Sequence, residues 1–191
     1  AFPDALSAAG IAGRMGAPLI IVPGNAANLS GYPTIVTELS RLAPTHVYIA
    51  GSTASVSAGI AAQIGTLLGV TPVRFAGANR YETATKMTDY FFGTVSGTPV
   101  APFTSPPGTV YIASGLNFPD ALAGAALAGW KGGPLLLVPG TSATVDGIVV
   151  AGHAIIREEL LGLQPHQITV FGSSGAVSNG IFIELEGIPR S

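Results

Sequence analysis

No cysteine occurs anywhere in the 191 residues, which excludes a disulfide scaffold and any thiolate metal site. Charge is scarce as well: acidic and basic residues together make up 9% of the chain, whereas an ordinary soluble domain carries about 25%. Eight Lys and Arg against ten Asp and Glu give a net charge of −2. A chain so balanced sets up no basic field that would gather nucleic acid over a wide face. Long hydrophobic runs are missing. The most apolar stretch, 121–139, is broken by Lys131 and by Gly132, Gly133 and Pro134, so no segment reaches the roughly 18 uninterrupted apolar residues of a membrane span. Nucleotide-binding patterns are absent, both Gly-x-Gly-x-x-Gly and the phosphate loop with its Lys-Ser/Thr. So is Gly-x-Ser-x-Gly, the usual hydrolase nucleophile elbow. The histidines, His46, His153 and His166, have no metal-ligand spacing among them. The sequence therefore offers no cofactor, no metal site and no catalytic constellation.

What it does contain is apolar residues, 48% of the total, and repetition. A large core can be buried, but few charges remain to cover the outside, which leaves a neutral or apolar surface suited to meeting a partner subunit or a larger assembly. The string FPDAL occurs at 2–6 and again at 118–122. Aligned at that offset, 2–24 (FPDALSAAGIAGRMGAPLIIVPG) and 118–140 (FPDALAGAALAGWKGGPLLLVPG) agree at 14 of 23 positions. At an offset larger by five, 38–60 and 159–181 agree at 10 of 23. The chain is an internal repeat with a short insertion in its second copy. Residues 74–191 read as a complete copy and residues 1–73 as the C-terminal part of another. Since the first copy starts mid-repeat, the sequence reads as a fragment of a longer protein.

Period and punctuation give the elements. In the second copy 71–77 is a short β-type run, and Arg80–Phe92 a helix with Ala84, Met87, Tyr90 and Phe91 on one face. A proline-rich loop over 97–108 follows. Strands are expected at 109–114, 134–138 and 168–171, and helices at 118–130, 155–163 and 177–187. The first copy repeats the second half of this plan: helix 3–15, strand 18–22, helix 34–42, strand 46–50, helix 56–68. Short apolar runs alternating with helices indicate an α/β fold, a parallel sheet covered on both faces in each repeat.

Within that plan FPDAL marks a strand-to-helix turn. Pro119 suits the first helical position, where a missing N–H costs nothing, and Asp120 the first turn, where the helix dipole favours a carboxylate. Asp4 and Asp120 can thus be helix starters, or part of a polar site at the carboxyl ends of the strands, where open α/β sheets bind ligands. The turns GSTASVS (51–57) and GSSGAVS (172–178) carry the same ambiguity. Ser57 and Ser178 can cap the helices they precede, or, with Ser52, Ser173 and Ser174, help present backbone N–H groups to an anion. The histidines are not repeated: His46 aligns with Gln167 and His166 with Thr45, so surface positions are expected. Tyr81 and Trp130 fit core or interface as well as sugar stacking.

Four ordered blocks, GANRYETA (77–84), YIASGLNFPDALAGAALA (111–128), GGPLLLVPG (132–140) and VFGSSGAVS (170–178), resemble the type 2 cell-wall-binding repeat of bacterial surface proteins. The resemblance covers essentially all of 74–191; residues 1–73 resemble only its second half. It implies a secreted, non-catalytic module at the wall or cell surface, bound non-covalently to polymers of a Gram-positive-type wall. It also implies a Toprim-like, Rossmann-like fold, often with three repeats around a pseudo-threefold axis. Ligand contacts would come from Arg80, Ser114, Asn117, Asp120, Ser173, Ser174 and Ser178, with Asp4, Ser52 and Ser57 in the first copy. Arg80, a cation at a helix start, is expected to pair with Asp120 or Asp4. Beside wall binding stand two other functions: a structural module whose repeats bind one another or further subunits, and an enzyme resting on Asp4, Asp120 and Glu82.

Overall fold

The computed structural model describes residues 2–95, 98–99, 102–103, 105–141, 149–150 and 153–190. The first copy begins with α1 (Phe2–Met15), followed by α2 (Pro33–Leu42), β1 (Tyr48–Ala50) and α3 (Ala58–Leu68). Next come β2 (Val73–Phe75), α4 (Arg80–Phe92) and a small antiparallel pair, β3 (Thr94–Val95) and β4 (Thr98–Pro99). The second copy continues with β5 (Thr109–Ser114), α5 (Phe118–Lys131) and β6 (Leu135–Val138). After the antiparallel pair β7 (Val149–Val150) and β8 (His153–Ala154) it closes with α6 (Ile155–Leu163), β9 (Gln167–Phe171) and α7 (Asn179–Glu186). Within the expected loop over 97–108, residues 97, 100–101 and 104 lie outside the described residues, as do 142–148, where the second copy's extra residues fall.

The central sheet is parallel, in the order β6-β5-β9. Its alternation serves two faces. Val110, Ile112, Leu136 and Val138 point to one side, against Met87 and Phe91 of α4, Ile156 and Leu160 of α6, and Ile181 and Leu185 of α7. Tyr111, Ala113, Leu135 and Leu137 point to the other, against Ala121, Ala125 and Ala128 of α5 and Leu6 of α1. All four residues of β6 are buried, as a strand covered on both faces requires. This is the α/β architecture expected from the sequence. A separate cluster of Leu29, Leu39, Ile60 and Ile64 holds α2 and α3 of the first copy together.

Two expectations fail, and in both the placement of neighbouring strands decides the outcome. Residues 18–22 form no strand. Their counterpart β6 pairs with β5 in register Tyr111↔Leu135, but in the first copy the counterpart of β5 would precede α1. Ile20 and Val22 still pack on the first-copy cluster while Leu19 and Ile21 face outward, so the alternation survives without the hydrogen-bonded ladder. The run 71–77, read as opening the second copy, does not join that copy's sheet either. As β2 it pairs parallel with β1, Ile49↔Arg74 at the centre. The strand leading one repeat thus completes the sheet of the repeat before it.

α1 and α5, the two FPDAL helices, lie against each other at equivalent residues. A Cβ on Gly13 would sit 2.7 Å from Gly129 Cα, and one on Gly129 would sit 3.0 Å from Gly13 Cα. Arg14 fastens the crossing, donating from Nη1 to Gly132 O at the end of α5. Its guanidinium lies 4.8 Å from the Phe92 ring centre and 4.2 Å from that of Phe103.

Candidate functional site

The carboxyl ends of β5, β6 and β9 bring together the loops that enter α5 and α7. Asn79 caps α4, its side chain accepting from Tyr81 N and Glu82 N at 3.0 Å each. Glu82 reaches back to accept from Ala78 N and pairs with Lys86 at 3.0 Å, which makes the GANRYETA block a capped helix start. The hydrogen bond from Ala78 and the ammonium of Lys86 hold the Glu82 carboxyl below the usual carboxylate range.

This start aims Arg80 at the sheet edge, where Nη1 donates to Gly115 O. The expected pairing with Asp120 or Asp4 is not formed: Arg80 makes an ion pair with neither carboxylate. The Gly115 carbonyl, where β5 ends, accepts from the guanidinium in place of a carboxylate, a partial charge that stabilises the cation without neutralising it. Ser114, 2% exposed, accepts from Leu116 N at 3.2 Å and so holds the bend after β5. Asn117 stands at the cap of α5 but makes no side-chain capping bond there. It is exposed, as is Ser174.

Asp120 lies against the opposite loop, where a Cβ on Gly172 would come 2.8 Å from its Oδ2. The first copy repeats the contact with Asp4 and Gly51 at 2.7 Å. Asp4 is buried, and accepts from Ser55 Oγ at 3.2 Å. Both glycines have positive φ, +109° and +112°, a conformation that a side chain would strain even before meeting the carboxylate.

The turns themselves are built alike. Ser52 O accepts from Ser55 N and Val56 N at 2.9 Å each, and Ser173 O from Ala176 N at 2.8 Å and Val177 N at 2.9 Å. Ser57 N donates to Gly24 O and Ser178 N to Gly140 O, both at 2.8 Å. Ser52 Oγ accepts from Ala54 N and Ser173 Oγ from Gly175 N, each at 3.3 Å. Ser57 and Ser178 cap α3 and α7 by accepting from Ile60 N and Ile181 N. The row of exposed N–H donors expected for an anion is therefore largely consumed inside each turn, since small loops satisfy their own backbone where they can.

The sequence-predicted residues thus fall into two sets, one per copy. Arg80, Ser114, Asn117, Asp120 and the 173–178 serines share one edge, while Asp4, Ser52 and Ser57 form the other with residues that pattern reading passed over. Chief among these is Arg74 of β2, which donates to Gly51 O at 2.8 Å, Ser52 O at 3.0 Å and Ser57 O at 3.5 Å. A cation inside a short apolar strand, PVRF, was the available signal. Among the other residues weighed, His46 and His166 are exposed, and the side chain of His153 lies outside the described residues. Tyr81 is half-buried between the two faces of the core. Trp130 is 76% exposed and lines an apolar groove of about 390 Å³ between α1 and α5 with Ala9, Gly13, Leu122, Ala125 and Ala126.

Comparison with known proteins bears on the family and the fold. The family described as Cell wall binding domain 2 matches residues 1–61 and 74–182. N-acetylmuramoyl-L-alanine amidase LytC of Bacillus subtilis (strain 168) is 31% identical over 189 residues, which is 99% of this chain and 33% of LytC. The chain therefore spans only a third of that relative's length. Solved structures of Cwp6 and Cwp8 from Clostridium difficile superpose with TM-scores of 0.76 and 0.71, at 23% and 22% identity. Those matches cover 98% of this chain in both cases, and 26% of Cwp6 and 28% of Cwp8, and they show the shared fold. With the family matched across both copies of the repeat, this chain belongs to the cell wall binding domain 2 family.

Proposed function

We propose that this chain is a non-catalytic module that holds a secreted protein at a Gram-positive cell wall or cell surface through weak contacts repeated along its length. The observation that carries this reading is the repeated edge. A carboxylate, a positive-φ glycine and a serine-capped turn are built the same way in two copies of a family defined by cell wall binding. We read the boundary between those copies near 73/74, inside the strand that links them.

The ligand is an anionic wall polymer, a glycan or a teichoic-acid-like chain. A net charge of −2 gives no long-range attraction to such a polymer, so recognition is short-range. Asn117, Ser173 and Ser174 offer exposed polar groups at the second edge, and Asp120 and Arg80 fix the loops around them. Asp4, Ser52 and Ser57 play the corresponding part in the first. Two of the acidic side chains on which an enzyme reading would rest have structural partners: Asp4 accepts from Ser55, and Glu82 is held by Ala78 N and Lys86.

Each site alone is weak, and linked sites gain by effective concentration without new contacts. Co-sedimentation with purified walls tests this. The 191-residue chain should pellet with walls, lose most binding with Asn117→Ala, Ser173→Ala and Ser174→Ala combined, and release no wall fragments. Full binding by that folded triple variant would remove the site. Release of soluble glycan would remove the non-catalytic reading.

The α1/α5 groove favours a complementary role in assembly. Its walls are small and apolar, and Leu122 and Trp130 on its rim are 58% and 76% exposed. A third helix of the FPDAL type fits such a groove, from another repeat or another copy of the chain. Light scattering that finds a monomer at high concentration, with Trp130 fluorescence unshifted, would speak against association between copies.

A further inference from the structure

The outer edge of β9 is the same surface that β2 covers in the first copy, and hydrogen-bond direction shows it. Gln167 N donates to Gly108 O, toward β5, at 3.0 Å. In a strand the backbone groups of successive residues point to alternate sides, so those of Ile168, Val170 and Gly172 point away from β5. Their counterparts in the repeat are Val47, Ile49 and Gly51. These are the groups that meet β2: Val47 O accepts from Val73 N at 2.9 Å, and Gly51 N donates to Phe75 O at 2.7 Å. Among the described residues, nothing pairs with β9 on that side, since β9 ends the sheet.

The turn beyond the strand is matched as well. Gly51 and Gly172 share their positive φ, and the internal hydrogen bonds of 51–57 recur in 172–178 at distances within 0.1 Å. In the first copy the carbonyls of that turn, Gly51, Ser52 and Ser57, accept the guanidinium of Arg74. Arg74 is central in β2, between Val73 and Phe75, and Phe75 is buried against α4.

We propose that the outer edge of β9 and the carbonyls of Gly172, Ser173 and Ser178 form a docking site for a strand in which one arginine is flanked by apolar residues, supplied by an adjoining repeat. The strand runs parallel to β9. Its backbone pairs with Ile168, Val170 and Gly172, and its guanidinium enters the carbonyl cup. Backbone pairing supplies affinity in such strand addition, and the pocket for one side chain supplies selectivity. A guanidinium suits the cup because its donors form a rigid planar fork, which an ammonium lacks. The occupant is argued from the molecule itself, which fills the equivalent edge with the same kind of segment, Thr71–Gly77. An open parallel edge of this length is otherwise a liability that proteins cover.

The test uses the 191-residue chain and a blocked peptide of sequence TPVRFAG, the segment that β2 supplies, at millimolar concentration. Amide exchange of Val170 and Gly172 should slow at least tenfold with this peptide, while Ile168, whose counterpart Val47 offers its carbonyl to β2, should change less. It should not slow with TPVAFAG, and TPVKFAG should restore little of the effect. A second form appends the same seven residues after Ser191 through a flexible Gly/Ser linker. The appended arginine form should melt several degrees higher than the appended alanine form, and should protect the same two amides. Equal protection by the arginine and alanine peptides would overturn the cup. Protection confined to the α1/α5 groove, or none at β9 in the appended chain, would overturn the site.

Discussion

Arg74 illustrates how one side chain can matter more than its surroundings suggest. It sits at the centre of a three-residue strand yet bonds carbonyls of a turn in the preceding repeat. Burial lowers its pKa from the usual guanidinium value, but not far enough to discharge it at any ordinary pH. Hydrogen bonds from a charged donor contribute about 1.5–3 kcal/mol each when their partners would otherwise lie unsatisfied. Arg74→Ala is expected to destabilise the first copy by about 2–3 kcal/mol, with faster amide exchange in 51–57, and Arg74→Lys should recover less than half of the loss.

Glu159 makes the residue scale sensitive to pH. It occupies the same place in the repeat as Glu38, which lies exposed beside Arg41 at 2.6 Å and has its pKa lowered by that bond. Glu159 instead packs between α4 and α6, where burial, with a smaller contribution from Asp89, pushes its pKa up to about 8. The folded chain then holds a proton that the unfolded chain releases near pH 4.5. Stability is therefore fullest below pH 4.5 as far as this group goes, and falls as pH rises toward 8. Thermal melts between pH 5 and 8 should show that decline in the parent. They should show a flatter profile and a higher Tm at pH 8 in Glu159→Gln. Parallel profiles would exclude Glu159 as the cause.

At the scale of elements, the close crossing of α1 and α5 decides how the copies sit together. Gly13 and Gly129 face each other with no room for a Cβ on either side, so the helices approach backbone to backbone. Adding a methyl group forces the helices apart, and overpacking of this kind costs typically 1–3 kcal/mol. Alanine otherwise favours a helix over glycine by about 1 kcal/mol, so the two effects oppose. Gly129→Ala is expected to be net destabilising by about 1 kcal/mol, because the contact is with backbone that cannot rotate away. Gly16→Ala, at a positive-φ position with nothing within 4 Å, should cost a similar amount for a different reason, backbone strain. Loss of the contact between copies, read from Arg14 and Phe103 exchange with neighbours, should accompany only the first.

For the molecule as a whole, the low charge and the repeat point to function through surfaces used more than once. No helix among the described residues is long and apolar enough to cross a membrane. Family membership supports a cell-wall-binding role, and the multivalent binding proposed above predicts how it should respond. Deleting one repeat from the full-length protein should weaken wall binding far more than raising salt to about 0.5 M, which screens exposed charges beyond roughly 4–5 Å. A single repeat that binds walls as tightly as the intact protein would end the multivalent reading.

Sequence alone determined the repeat, the seven helices of the described residues within a residue or two, and the parallel α/β class. These follow from local periodicity and capping, as with Asn79, Ser57 and Ser178, whose capping hydrogen bonds span at most three residues. It also located the edge where Ser114, Asp120 and the 172–178 turn meet, because strand ends and helix starts are local features. Tertiary structure alone decided the rest. Whether 18–22 becomes a strand depends on a partner elsewhere in the chain, and apolar alternation cannot supply one. Whether β2 joins its own repeat or the preceding one depends on which sheet edge is open. The same glutamate position becomes an exposed ion pair in one copy and a half-buried, proton-holding group in the other, through neighbours on a different helix. Arg80 found a backbone carbonyl where sequence reasoning expected a carboxylate, since opposite charges can be matched from composition but the partial charge of a strand-end carbonyl exists only once the strand is placed.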